Sequence, residues 1–216
     1  MKRTIAVYPG RFNIFTPGHL ESYKELVSVF GAENTFIMTR DGLTSDNLFT
    51  YNEKRAMMLA AGVSRESTVK LDEGWVVGDV VYRKPDTPFR PWNFLSHCFD
   101  LQNTVVVYGI SQKDLQPGSR FAKTTNRNGT PSYYQPYNAQ TATPMTDGEE
   151  HAYVYGMKTY SFDLPPCITG AKSASEVRDF IKHNPFMLDV IVSRLYSQNQ
   201  TEIFEILKNR LLLNTP

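Results

Sequence analysis

The stretch Tyr8-Pro9-Gly10-Arg11-Phe12-Asn13-Ile14-Phe15-Thr16-Pro17-Gly18-His19-Leu20 gathers a hydroxyl, an imidazole, a guanidinium and two glycines into a few residues. It follows the apolar run Thr4 to Val7 and precedes the amphipathic segment Glu21 to Phe30. That order reads as strand, glycine-containing turn and helix start. A helix start collects unpaired backbone N–H groups and the positive end of the helix dipole, which suits a phosphate. Gly10 and Gly18 allow backbone to approach a ligand closely. His19 adds a titratable donor in the first helical turn. Together these residues suit a triphosphate.

The elements that must position them alternate in type. Residues 3–8 read as a buried strand, and residues 18–30 as a helix with Leu20, Tyr23, Val27 and Phe30 on one face. Thr35 to Thr39 reads as a strand, and Asn52 to Ala61 as a helix ended by Gly62. Thr68 to Leu71 and Trp75 to Val81 are strand candidates, Pro91 to Leu101 a helix candidate, and Thr104 to Tyr108 a buried strand ending at Gly109. Such alternation implies βαβ units and a parallel sheet. Ligands of such sheets lie outside the carboxyl ends of the strands, where the loops after Val7 and Tyr108 fall.

Residues 115–150 break the pattern with Pro117, Pro131, Pro136, Pro144, six threonines and little apolar periodicity. A structureless loop of that length is functional or disordered. Tyr133, Tyr134 and Tyr137 argue for packing or ligand contact within it. Phe186 to Tyr196 and Thr201 to Leu213 carry apolar residues at helical spacing.

The 216 residues include 41% hydrophobic residues, enough for one core. With 23 basic and 22 acidic residues the formal net charge is +1, which gives no electrostatic case for nucleic-acid binding. Cys98 and Cys167 fit neither metal nor redox spacing and read as reduced, buried thiols of a cytoplasmic protein. No window is long and apolar enough for a membrane span, and Met1 to Val7 is too short for a signal peptide. His97, His151 and His183 have no partners at metal spacing.

Gly10-Arg11-Phe12-Asn13 followed by Thr16-Pro17-Gly18-His19 resembles the GxF…(H/T)xGH signature of the nucleotidylyltransferase superfamily. Ser173-Ala174-Ser175-Glu176-Val177-Arg178 is similar to that family's SSTxxR motif, again at a helix start. The two motifs together, in this order, are more specific than either alone. The resemblance covers about residues 3 to 62 and 103 to 183. It implies an α/β, Rossmann-like parallel sheet with helices on both faces, a long loop insertion and a helical C-terminus. Residues 1–183 would form the α/β domain, with 115–150 as an insertion or acceptor-side lid, and 184–216 a C-terminal helical extension.

The resemblance implies transfer of a nucleoside monophosphate from ATP or CTP to a phosphorylated small acceptor, with release of pyrophosphate. His19, Thr16 and Arg178 would be the catalytic set. Gly10, Arg11, Phe12, Asn13, Gly18, Gly109, Lys172, Ser173 and Ser175 would bind the nucleotide. Mg²⁺ would arrive on the triphosphate, without a protein metal site.

Several of these residues have second readings. Thr16 suits an N-cap as well as a phosphate contact. Ser173 and Glu176 fit an ordinary capping box, which does not require Arg178. Arg11 reaches either a phosphate or the surface, and Lys172 either a phosphate or solvent. Glu53-Lys54-Arg55 resembles a stretch in which relatives carry an arginine that anchors the helix or touches ligand.

The match weakens after Tyr108. Relatives carry G-x-D there, and this chain has Gly109-Ile110-Ser111 followed by Gln112-Lys113-Asp114. Ser111, Lys113 and Asp114 are therefore the acceptor-side candidates, with the basic residues Arg120, Lys123 and Arg127 beyond them. The motif is most similar to the nicotinamide-nucleotide adenylyltransferase branch, which implies ATP and nicotinamide mononucleotide. A cytidylyltransferase of a phosphorylated alcohol or sugar is the rival. A non-catalytic nucleotide-binding module of the same fold is the third reading, and a homo-oligomer is compatible with all three.

Overall fold

Side chains alternate across the first strand, and this sets the layers. Ala6 and Tyr8 point into one apolar cluster, Ile5 and Val7 into another on the opposite face. The computed structural model describes residues 2–71, 75–77, 80–83, 86–126, 128–144, 151–164, 168–171 and 173–213.

Among these residues the order is β1 (Arg3–Pro9), α1 (Pro17–Phe30), β2 (Thr35–Thr39), α2 (Tyr51–Ala61) and β3 (Thr68–Lys70). Then come β4 (Trp75–Val77), β5 (Val80–Arg83), α3 (Trp92–Cys98), β6 (Thr104–Ser111), β7 (Tyr134–Pro136) and β8 (Ala152–Met157). Next follow β9 (Phe162–Leu164), β10 (Ile168–Ala171), α4 (Ala174–His183), α5 (Leu188–Leu195) and α6 (Gln200–Lys208), which runs on into a wider helical turn over Asn209–Leu213.

Six strands form one parallel sheet in the order β3-β2-β1-β6-β8-β7. Val7 pairs with Phe36 on one side and Tyr108 on the other. The chain thus leaves β1 in one direction and returns on its other edge, so the switch point lies between the carboxyl ends of β1 and β6. One face is covered by α1, α2, α4, α5 and α6, through Leu26, Met57, Val177, Ile191 and Leu207 among others. The other face is covered by Leu95 of α3 and by Phe89, Phe121 and Tyr133. This is the α/β Rossmann-like fold with helices on both faces that the sequence led us to expect.

Four local expectations need correction. Trp75 to Val81 is not one strand, since β4 and β5 form an antiparallel pair outside the main sheet. Residues 115–150 are not structureless over their described part. Tyr134 pairs with Ala152 in the edge strand β7, where Pro136 is tolerated because an edge leaves one side of the strand without ladder partners. The interior strand β8 carries no clear strand signal in the sequence, because Ala152-Tyr-Val-Tyr-Gly-Met reads as weakly apolar. Cys98 is exposed at the end of α3 rather than buried, and Cys167 lies outside the described residues.

The helices after residue 184 pack into the main core. Leu188, Ile191, Tyr196, Ile203 and Leu211 share one cluster with Ile14, Phe15, Met57 and Met58. Arg210 Nε donates to Glu53 Oε1 at 2.9 Å and ties the chain end to α2.

Candidate active site

A pocket of about 240 Å³ opens at the switch point. Pro9, Gly10 and Arg11 line it after β1, Gly109 and Ser111 after β6, Thr16, Gly18 and His19 at the start of α1, and Ser173 and Ala174 at the start of α4. Two helix N-termini therefore face one cavity, each with unpaired N–H groups and positive dipole potential.

Thr16 caps α1 with extended backbone, and Pro17 follows at the first helical position. Its N–H donates to His19 Nδ1 at 3.1 Å, and its hydroxyl lies 3.1 Å from the same nitrogen. Nδ1 is thus an acceptor. In the neutral ring the proton then sits on Nε2, the donor His19 has left to offer. Burial lowers the His19 pKa to about 4, helped by the charge of Lys113 and opposed by the Ile14 carbonyl. The ring is neutral at pH 7.

Phe12 contributes to this. It adopts φ 44°, unusual for a bulky residue, and is buried. Its ring meets His19 edge-on at 5.2 Å, and Phe15 lies 5.5 Å from the imidazole. Phe12 also explains Gly10, where a Cβ would stand 2.6 Å from the Phe12 ring. Gly18 gives room to the Tyr160 carbonyl, 3.1 Å from where its Cβ would be. Gly109 lets Leu26 and Met157 close over β6, its Cβ position lying 2.6 Å from Leu26. These glycines serve packing that shapes the pocket, and the backbone of all three lines it.

Asn13 has a different task from the one its motif position suggested. Its amide donates to the Asp46 carbonyl at 2.8 Å and accepts from the Leu48 N–H at 3.0 Å. Its polar atoms hold the loop after β2. Lys54 anchors the same loop. Fully buried, it donates to Thr39 Oγ1 at 3.1 Å, to the Arg40 carbonyl at 2.9 Å and to Asn47 Oδ1. Arg55 Nε donates to Thr68 Oγ1 at 3.0 Å, a structural anchor.

At α4, Ser173 Oγ accepts from the Glu176 N–H at 3.3 Å, and Arg178 donates to Ser175 Oγ at 3.0 Å. Burial lowers the Arg178 pKa most. Asp179 opposes this, and the positive charge of Arg11 adds to it. Arg11 lines the pocket, whereas Ser175 and Arg178 lie further along α4 and are not among its lining residues. Arg11 also pairs with Asp46 at 3.5 Å on the exposed side. Lys172 lies outside the described residues.

The acceptor-side candidates Ser111, Lys113 and Asp114 line the same pocket as His19. Sequence reasoning missed Lys158, Thr159 and Tyr160, which follow β8 and close the pocket's far wall. Thr159 Oγ1 lies 3.0 Å from Ser111 Oγ. The wall is held by Glu25 of α1, whose carboxylate accepts from Tyr155 Oη at 3.1 Å, Tyr160 Oη at 2.9 Å and the Lys158 N–H at 3.1 Å. Burial and this carboxylate push the Tyr160 pKa up to about 12. Once β8 is recognised, the signal is Lys-Thr directly after a strand end.

Among the described residues no three His, Cys, Asp or Glu side chains are grouped to hold a metal ion, and no helix is long and apolar enough to cross a membrane. A family model described as cytidylyltransferase-like matches residues 7–114, half of the chain, spanning the switch-point loops and His19. No curated protein matches the chain.

Proposed function

Because the chain belongs to the cytidylyltransferase-like family, within the nucleotidylyltransferase superfamily, we propose that it is a nucleotidyltransferase acting on a phosphorylated small acceptor. The observation that carries this reading is the pocket in which a neutral His19 and two helix N-termini converge. An acceptor phosphate oxygen attacks the α-phosphorus of a nucleoside triphosphate. One P–O bond forms there, the bond to the bridging oxygen breaks, and its electron pair leaves with pyrophosphate.

The protein's share of this chemistry is alignment and charge stabilisation. His19 Nε2–H donates to a non-bridging oxygen at the α-phosphate without giving up its proton. Thr16 fixes the tautomer. On the likeness of their motif, Ser175 and Arg178 at the start of α4 are assigned to the β- and γ-phosphates, together with Arg11, which lines the pocket. Magnesium, carried by the triphosphate's own oxygens, would supply charge neutralisation. Among the described residues Asp114 is the carboxylate that lines this pocket.

We take ATP and nicotinamide mononucleotide as the first substrate pair, on the likeness of the Gly10 to His19 motif to that branch. The cytidylyltransferase-like description supports CTP as the second nucleotide, and we pair it with a phosphorylated alcohol or sugar as acceptor. Pyrophosphate release, measured for both triphosphates against a panel of phosphorylated acceptors, separates them. Release that depends on one acceptor and one base names the pair. A chain that binds triphosphate but releases pyrophosphate with none of the panel is the non-catalytic module.

A further inference from the structure

Beyond the pocket at His19 the site widens into a cleft of about 1100 Å³. Arg11, Lys113 and Asp114 line both spaces, whereas Arg40, Arg90 and Arg120 line only the outer cleft. These three come from separate segments: the end of β2, the turn before α3 and the 115–150 insertion. All three are exposed. Among the described residues none of them forms an ion pair with a carboxylate. Asp46, the other carboxylate of the cleft besides Asp114, already faces Arg11.

Two of the guanidinium groups are laid on aromatic rings. Arg120 lies 4.1 Å over Phe89 and 4.6 Å over Phe121, and Arg90 lies 5.4 Å over Tyr133. Stacking occupies the flat face of a guanidinium and leaves its N–H edge for a planar oxyanion.

In the proposed reaction the acceptor's attacking phosphate must sit at the α-phosphate beside His19, in the inner pocket. The outer arginines are then left over. Resting on that reading, we propose that the outer cleft is a second oxyanion site, and that the acceptor carries a carboxylate or further phosphate besides the phosphate that reacts.

The test uses matched phosphomonoesters that differ by one anionic group: nicotinate against nicotinamide mononucleotide, and 3-phosphoglycerate against glycerol 3-phosphate. Binding of each is measured by calorimetry to the wild-type chain and to R40Q, R90Q and R120Q, with triphosphate affinity measured alongside. The expected result is that in at least one pair the more anionic member binds roughly tenfold or more tightly. That preference should shrink in the variants while triphosphate affinity holds. Equal binding within both pairs, or a preference untouched by all three substitutions, overturns the proposal. So does a loss of triphosphate affinity in the variants, which would assign these arginines to the triphosphate. A preference found without pyrophosphate release from any acceptor would sink the transfer reaction and leave the second anion site standing.

Discussion

At the scale of single residues, the account rests on His19 being a neutral donor fixed by Thr16 and enclosed by Phe12 and Phe15. Replacing it by alanine should leave the fold intact and lower kcat by about 10²–10⁴-fold, the loss expected for one preorganised donor. An NMR titration of the free protein should find the ring neutral until the pH falls to about 4. Between that value and the ordinary histidine range the unfolded chain binds more protons than the folded one. Stability from this group is therefore complete above about pH 6.5 and is lost as pH falls towards 4. A ring that titrates near its ordinary value would contradict the enclosed geometry. Arg178→Ala should weaken triphosphate binding by roughly 2–4 kcal/mol, with little effect on a monophosphate. Arg178→Lys should restore only part of it, because the planar fork is lost. Equal losses for both ligands would place Arg178 elsewhere. The residue types at these positions could be read from the sequence, because short motifs encode helix starts and their donors locally. The tasks of Phe12 and Asn13 could not, because they depend on a ring folding back over Gly10 and on a loop over 30 residues away.

At the scale of elements, β1, α1, β2, α2 and β3 are readable because their apolar residues recur with clean periods. The second half was harder, for physical reasons. β7 is a three-residue edge strand ending in proline, and β8 alternates tyrosines that are only half buried. Missing β8 meant missing Lys158, Thr159 and Tyr160, which the sheet delivers to the pocket from the strand beside β6. Glu25 links α1 to that wall through three accepted hydrogen bonds. Glu25→Ala should release the wall and raise the KM for substrate several-fold, while a urea melt shifts only modestly, since the site is partly exposed. A large loss of stability with an unchanged KM would make Glu25 merely structural. Lys54 anchors the opposite loop. Lys54→Met should cost on the order of 1–3 kcal/mol by leaving Thr39, Asn47 and the Arg40 carbonyl without their donor. Denaturant unfolding measures that loss directly.

At the scale of the whole molecule, the parallel sheet places β1 and β6 side by side with their carboxyl ends together, and the chemistry gathers there from five parts of the sequence. The sequence motifs marked the loop after β1, the starts of α1 and α4, and the loop after β6, but not the stretch after β8. The cleft built by residues 87–90 and 116–121 with Arg40 emerges only when the loops are folded against one another. Leu188, Ile191, Ile203 and Leu211 of the C-terminal helical extension share one core cluster with Phe15. Cutting the chain after residue 184 should therefore abolish cooperative unfolding. A truncated chain that melts like the full one would contradict that packing. The central claim, nucleotidyl transfer at His19, is tested most directly by following two labels through one turnover. With label on the α-phosphate and, separately, on the γ-phosphate, the account predicts that the α-label joins the acceptor. The γ-label should leave as pyrophosphate in equal amount, and both should slow by about 10²–10⁴-fold in His19→Ala. Release of the γ-label as orthophosphate, or transfer by the His19 variant at the wild-type rate, would contradict it.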